Sequence, residues 1–113
     1  MKRVLIGIVS VAVVGLFASG ASAQDTAKGA KVYADQKCSV CHSIAGKGNT
    51  KGALDDVGSK LTAAEIHDWI VKPAEMTKKA NAPRKPPMPS KYASLPKEDL
   101  DALVAYLGSL KKK

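Results

Sequence analysis

Two cysteines and a histidine stand together at Cys38-Ser39-Val40-Cys41-His42, three side chains of metal-binding or nucleophilic chemistry within five residues. Thiols three residues apart lie about one helical turn from each other, so both can add to one planar molecule that carries two vinyl groups. The histidine that follows then lies beneath that plane, where a neutral imidazole can bind a metal. This is the spacing of c-type haem attachment: Cys38 and Cys41 become thioethers and His42 an axial iron ligand. Random placement of two cysteines and two histidines in 113 residues gives the pattern on the order of 3 times in 10,000.

Three other readings of the cysteines compete with this one. A thioredoxin-like redox pair calls for a βαβ setting, and the chain has no β-rich run. A zinc site needs two further ligands, with only His67 unassigned. A plain disulfide accounts for neither the spacing nor the histidine.

A six-coordinate iron needs a second axial ligand, and the candidates are Met88, Met76 and His67. Met88 is enclosed by Pro86, Pro87 and Pro89, which remove backbone freedom, so a thioether there is held at low entropic cost. Met76 lies in a lysine-rich segment, where a gap-filling or exposed methionine is the usual case. His67 falls beside the apolar stripe of its helix rather than on it. The sequence therefore favours Met88 as the second ligand.

Helices joined by glycine-rich and proline-rich loops must position these groups. A first helix is expected from about Asp25 or Thr26 up to the haem motif, with Gly29, Val32 and Tyr33 on one face. Gly46 to Gly52 reads as an open loop. A second helix starts at Thr62, where Thr62 and Glu65 can form a capping box, and stops before Pro73; Ile66, Trp69 and Ile70 are its apolar face. Six prolines between Pro73 and Pro96 predict an irregular stretch, with one short helical turn around Ala74 to Lys79. The last helix, Lys97 to Leu110, carries the clearest periodicity, in Leu100, Leu103, Val104, Leu107 and Leu110.

The 113 residues hold 18 basic and 10 acidic side chains, a net charge of +8. Lys2 and Arg3, the apolar run Val4 to Phe17 and the small residues Ala21-Ser22-Ala23 read as a secretory signal peptide over residues 1–23. A single domain, 24–113, is then expected in the periplasm, with charge +6, four aromatic residues and no stable membrane insertion. So small a core calls for a cofactor in its interior. Basic residues at Lys47, Lys51, Lys78, Lys79, Arg84, Lys85 and Lys91 suit acidic-surfaced redox proteins, including a membrane oxidase or reductase. Nucleic acid is not expected of an exported, aromatic-poor chain. A monomer is expected.

The haem motif, the downstream Pro87-Met88-Pro89 and the closing helix together resemble a small class I c-type cytochrome. The resemblance spans the chain from residue 24 and implies an all-α fold wrapped around one covalent haem c. It also implies that the first and last helices cross through Gly29, Tyr33 and Tyr106. Trp69 either contacts a haem propionate or packs in its helix core, and Tyr92 is a pocket contact that can buttress Met88. The family commonly orients its axial histidine with a proline carbonyl, but this chain has Gly52-Ala53-Leu54 at roughly that place. The expected function is single-electron transfer between Fe(III) and Fe(II), without catalysis of its own. The alternatives are a small-ligand sensor or minor peroxidase, and a docked haem subunit of a larger oxidoreductase.

Overall fold

The architecture follows from where the chain can and cannot continue a helix. A computed structural model describes residues 23–81 and 87–111. The signal-peptide reading of residues 1–23 falls outside these but for Ala23, as do Pro83, Arg84, Lys85, Pro86, Lys112 and Lys113. Five α-helices and one two-stranded hairpin make up the described chain, so the all-α expectation holds.

Helix α1, Ala23–Asp35, begins two residues before the expected caps and carries Asp25 in its first turn. It ends where Lys37 takes a left-handed conformation, φ 56° and ψ 38°, which turns the chain into a short 3-10 segment at Cys38–Val40. The next stretch differs from the open loop expected. Strands β1, Ser43–Ile44, and β2, Lys47–Gly48, pair antiparallel around Ala45 and Gly46, both with positive φ. A second 3-10 turn, Thr50–Gly52, follows. Helix α2, Val57–Lys60, has no periodic apolar stripe to announce it.

Helix α3, Ala63–Val71, has the capping box in full: Thr62 N donates to Glu65 Oε1 at 3.0 Å, and Glu65 N donates to Thr62 Oγ1 at 3.2 Å. Those bonds hold the Glu65 carboxyl below its usual range. Lys72 leaves the helical region, φ −138° and ψ 59°, as a residue before proline must. The single turn expected after it is instead the eight-residue helix α4, Pro73–Ala80. Proline costs a helix nothing at its first position, where its missing N–H has no helical partner, so Pro73 starts α4 rather than preventing it. Asn81 ends it in a left-handed conformation, φ 52°.

Helix α5, Lys97–Gly108, buries Leu100, Ala102, Leu103 and Leu107. It packs on α1 and α3, and the core is Val32, Tyr33, Ile66, Ile70, Leu100, Leu103 and Leu107. Gly29 is the contact point of α1 and α5: a Cβ there would collide with the Ala102 carbonyl oxygen and Tyr106 Cβ. Lys28 Nζ lies 3.5 Å from both Glu98 and Asp99 and ties α1 to the first turn of α5. At the other end, Gly58 N donates to Leu110 O at 2.8 Å and fastens α2 to the close of α5.

Candidate functional site

The turn that carries the cysteines is held from within. The Cys38 carbonyl accepts from Cys41 N at 3.1 Å and from His42 N at 2.9 Å, so the five-residue motif winds through a single turn. Cys38 and Cys41 are both half-buried and not joined by a disulfide. Burial pushes the Cys38 thiol up, against the smaller lowering effects of its own backbone and of Lys91. A redox or nucleophilic cysteine needs the opposite shift, which argues against the thioredoxin-like reading. Among the described residues no group of three or more His, Cys, Asp or Glu is placed to hold a metal, so the zinc reading finds no further ligands.

His42 Nδ1 lies 3.0 Å from the carbonyl oxygen of Gly52. A carbonyl only accepts, so the proton is on Nδ1 and the basic lone pair on Nε2. The carbonyl that meets the His42 ring is thus that of Gly52, which ends the Thr50–Gly52 turn. Ser43, the residue after the histidine, is almost wholly buried at 1% exposure, and Ser43 O accepts from Leu54 N at 2.9 Å.

Around these groups lies a cavity of about 210 Å³. Its walls contain Cys38, Cys41, His42, Trp69, Met88 and Tyr92, the six residues the sequence favoured for the site. Lys37, Thr77, Pro87 and Pro89 complete it. Met88 is half-buried between its two prolines. On α3 only Ile66 and Ile70 are buried in the core, while Trp69 turns toward the cavity. Met76, on α4, does not reach the cavity wall. His67 lies 3.5 Å from Asp68 on the same helix, away from it.

Tyr92 ties the Met88 segment back to α1. Its hydroxyl donates to Gln36 O at 3.4 Å, and Lys91 Nζ sits 5.2 Å from its ring centroid. Burial, with added effects from Cys38 and Cys41, raises the Tyr92 phenol. Lys37 and Lys91 also flank a second, more open hollow of about 460 Å³ that shares Lys37, Cys41, Pro89 and Tyr92 with the first. On its rim Val40 is 67% exposed, unusual for a large apolar side chain. Lys37 escaped the sequence reading because a charged residue ahead of the motif carries no pattern.

The donor set suits a haem: two thiols, one imidazole of defined tautomer and one thioether in a mainly apolar cavity. No helix among the described residues is long and apolar enough to cross a membrane. The family model described as "Cytochrome c" matches residues 26–111. A cytochrome c oxidase subunit 2 of Alkalihalophilus pseudofirmus (strain ATCC BAA-2126 / JCM 17055 / OF4) is 31% identical over 93 residues, 74% of this chain and 25% of that protein. The chain therefore spans about a quarter of that relative's length. No solved structure matches the chain.

Proposed function

The chain belongs to the cytochrome c family, and from that premise we propose a periplasmic carrier that shuttles single electrons between redox partners through one His/Met-ligated haem. The family carries haem c covalently and works by haem-based electron transfer. The observation that most supports the finer reading is that Met88 and His42 share one cavity with both cysteines. Bound there, the cofactor supplies reversible Fe(III)/Fe(II) chemistry.

Cys38 and Cys41 would hold the ring through thioethers, and His42, with its proton kept on Nδ1 by Gly52, would have Nε2 available to the iron. Met88 would hold the iron from the cavity wall through its thioether, which would favour the reduced state. Trp69 and Tyr92, on the cavity wall, would exclude water and so limit reorganisation when charge changes, and the indole N–H of Trp69 would be available to a propionate. Lys37 and Lys91, around exposed Val40, offer acidic-surfaced partners a basic rim with an apolar centre. As acceptor we propose a terminal oxidase, in keeping with the oxidase subunit that the chain resembles. Export follows from the basic start, the apolar run to Phe17 and Ala21-Ser22-Ala23.

The test is the visible spectrum of the oxidised holoprotein. A sulfur-to-iron charge-transfer band at the red end is expected in the parent and in Met76→Ala, and is expected to vanish in Met88→Ala. A parent that lacks the band and binds carbon monoxide readily overturns the carrier in favour of a small-ligand sensor or peroxidase.

A further inference from the structure

Gly52 is a demanding place from which to orient an axial histidine, because glycine has the widest backbone freedom of any residue and its carbonyl swings with it. Something must hold that peptide. The Thr50–Gly52 turn is capped by Asn49, whose Oδ1 accepts from Lys51 N at 3.1 Å. Asn49 O accepts from Gly52 N at 3.1 Å, so the residue grips the turn at both ends. On its other side Asn49 reaches the haem motif: Asn49 N is 3.1 Å from Ser39 O and 3.0 Å from His42 O, and Nδ2 is 3.3 Å from Val40 O. Gly48 makes the approach feasible, since a Cβ there would collide with the His42 carbonyl oxygen, and its φ of 108° suits glycine.

We propose that Asn49 is a positioning residue for His42: it bridges the Cys38–His42 turn to the Thr50–Gly52 turn and so sets the Gly52 carbonyl against His42 Nδ1. This rests on the reading of His42 as the axial ligand and adds what defines its orientation. The chemistry follows from the strength of the Nδ1–H bond. A carbonyl held at 3.0 Å makes the imidazole a stronger donor through Nε2 and so stabilises Fe(III). A loosened Gly52 peptide weakens that bond and shifts the couple toward Fe(II).

Only two of the bonds made by Asn49 use its side chain, and substitution separates them. Asp in its place keeps the oxygen that accepts from Lys51 N and loses the donor to Val40; Ala loses both. In reduced holoprotein, hydrogen exchange of His42 Nδ1–H, followed by nitrogen-15 NMR, is expected to speed at least tenfold in Asn49→Ala and by a smaller factor in Asn49→Asp. The redox equilibrium is expected to shift toward Fe(II) about threefold in Asn49→Ala, roughly 28 mV at about 59 mV per tenfold for one electron. A role confined to loop stability moves neither quantity. Unchanged exchange and potential in both variants, with the parent histidine seen bound to iron, overturns the role of Asn49 alone. A parent whose His42 resonances show no iron ligation overturns the ligation and this inference together. If Asn49→Ala does not fold, an Asn49→Asp exchange rate equal to the parent's overturns the proposal, and a faster one supports it.

Discussion

The ring of Tyr33 meets that of Tyr106 edge-on, with centroids 6.0 Å apart and planes at 66°, where α1 crosses α5. The geometry is a favourable aromatic pairing, but it leaves the Tyr33 hydroxyl inside the protein with no hydrogen-bond partner, the one such side-chain atom among the described residues. Burial, with smaller effects from Cys38, Tyr106 and Asp55, pushes the phenol up to about 12 from 10.0. The folded state therefore keeps a proton that the unfolded chain gives up. Stability from this group is intact below pH 10 and is lost as pH rises through 10 toward 12. Tyr33→Phe keeps the ring contact and removes both the titration and the unpaired hydroxyl. The expected outcome is equal or higher stability at neutral pH, by up to about 2 kcal/mol, with a shallower loss above pH 10. Denaturant melts at pH 7 and across the alkaline window check this, and a loss above 1 kcal/mol at pH 7 sinks it.

Gly29 and Gly108 are both helical, yet a methyl group is expected to act on them in opposite directions. At Gly29 a Cβ would collide with backbone of Ala102 and with Tyr106, so Gly29→Ala must part α1 from α5 at their closest point. Overpacking of this kind costs about 1–3 kcal/mol and outweighs the roughly 1 kcal/mol that alanine gains in helix propensity. At Gly108 the nearest atom is Ile66 Cδ1 at 4.0 Å, an ordinary contact, and Gly108→Ala is expected to raise stability by up to about 1 kcal/mol. Urea midpoints of the two holoproteins decide the matter. Equal shifts of the same sign contradict the close α1–α5 contact.

What the sequence made legible was local chemistry. The Cys38–His42 spacing, the Thr62–Glu65 capping box and the leucine repeat of α5 are each complete within a few turns of chain; the capping box forms as expected, and α5 starts at Lys97 as expected but ends at Gly108, two residues before Leu110. Less visible were groups whose meaning depends on distant backbone. The bonds of Asn49 reach back as far as Ser39, and Tyr92 finds Gln36 fifty-six residues away, so neither leaves a periodic trace. Proline misled at Pro73, which breaks α3 but also begins α4, so that an eight-residue helix stands where a single turn over Ala74 to Lys79 was expected, and a further 3-10 turn forms at Ser90–Ser94. The two readings of Trp69 could not be separated by its spacing, because a helix residue flanking a core stripe can turn either to the core or to a cavity. Here Ile66 and Ile70 occupy the core and leave Trp69 to the cavity wall.

That division of the apolar side chains bears on how the fold is held. The buried core joins α1, α3 and α5 through Val32, Tyr33, Ile66, Ile70, Leu100, Leu103 and Leu107. Met88, Tyr92 and Leu54 are only partly buried where they pack against that core, and Met88 and Tyr92 share the cavity wall with half-buried Trp69. A filled cavity covers the faces of Trp69, Met88 and Tyr92 that otherwise meet water, and a domain of this size has little stability to spare. Cys38→Ala/Cys41→Ala protein prepared without haem is expected to lose most of its helical circular dichroism and its cooperative thermal transition. The Met88 segment, tied by the long Tyr92–Gln36 bond to the residue that follows α1, is expected to become susceptible to protease before α5 does. Circular dichroism melts and limited proteolysis of the haem-free variant beside the holoprotein make the comparison. A variant that keeps a cooperative melt and native helix content overturns the assignment of the cofactor to the core.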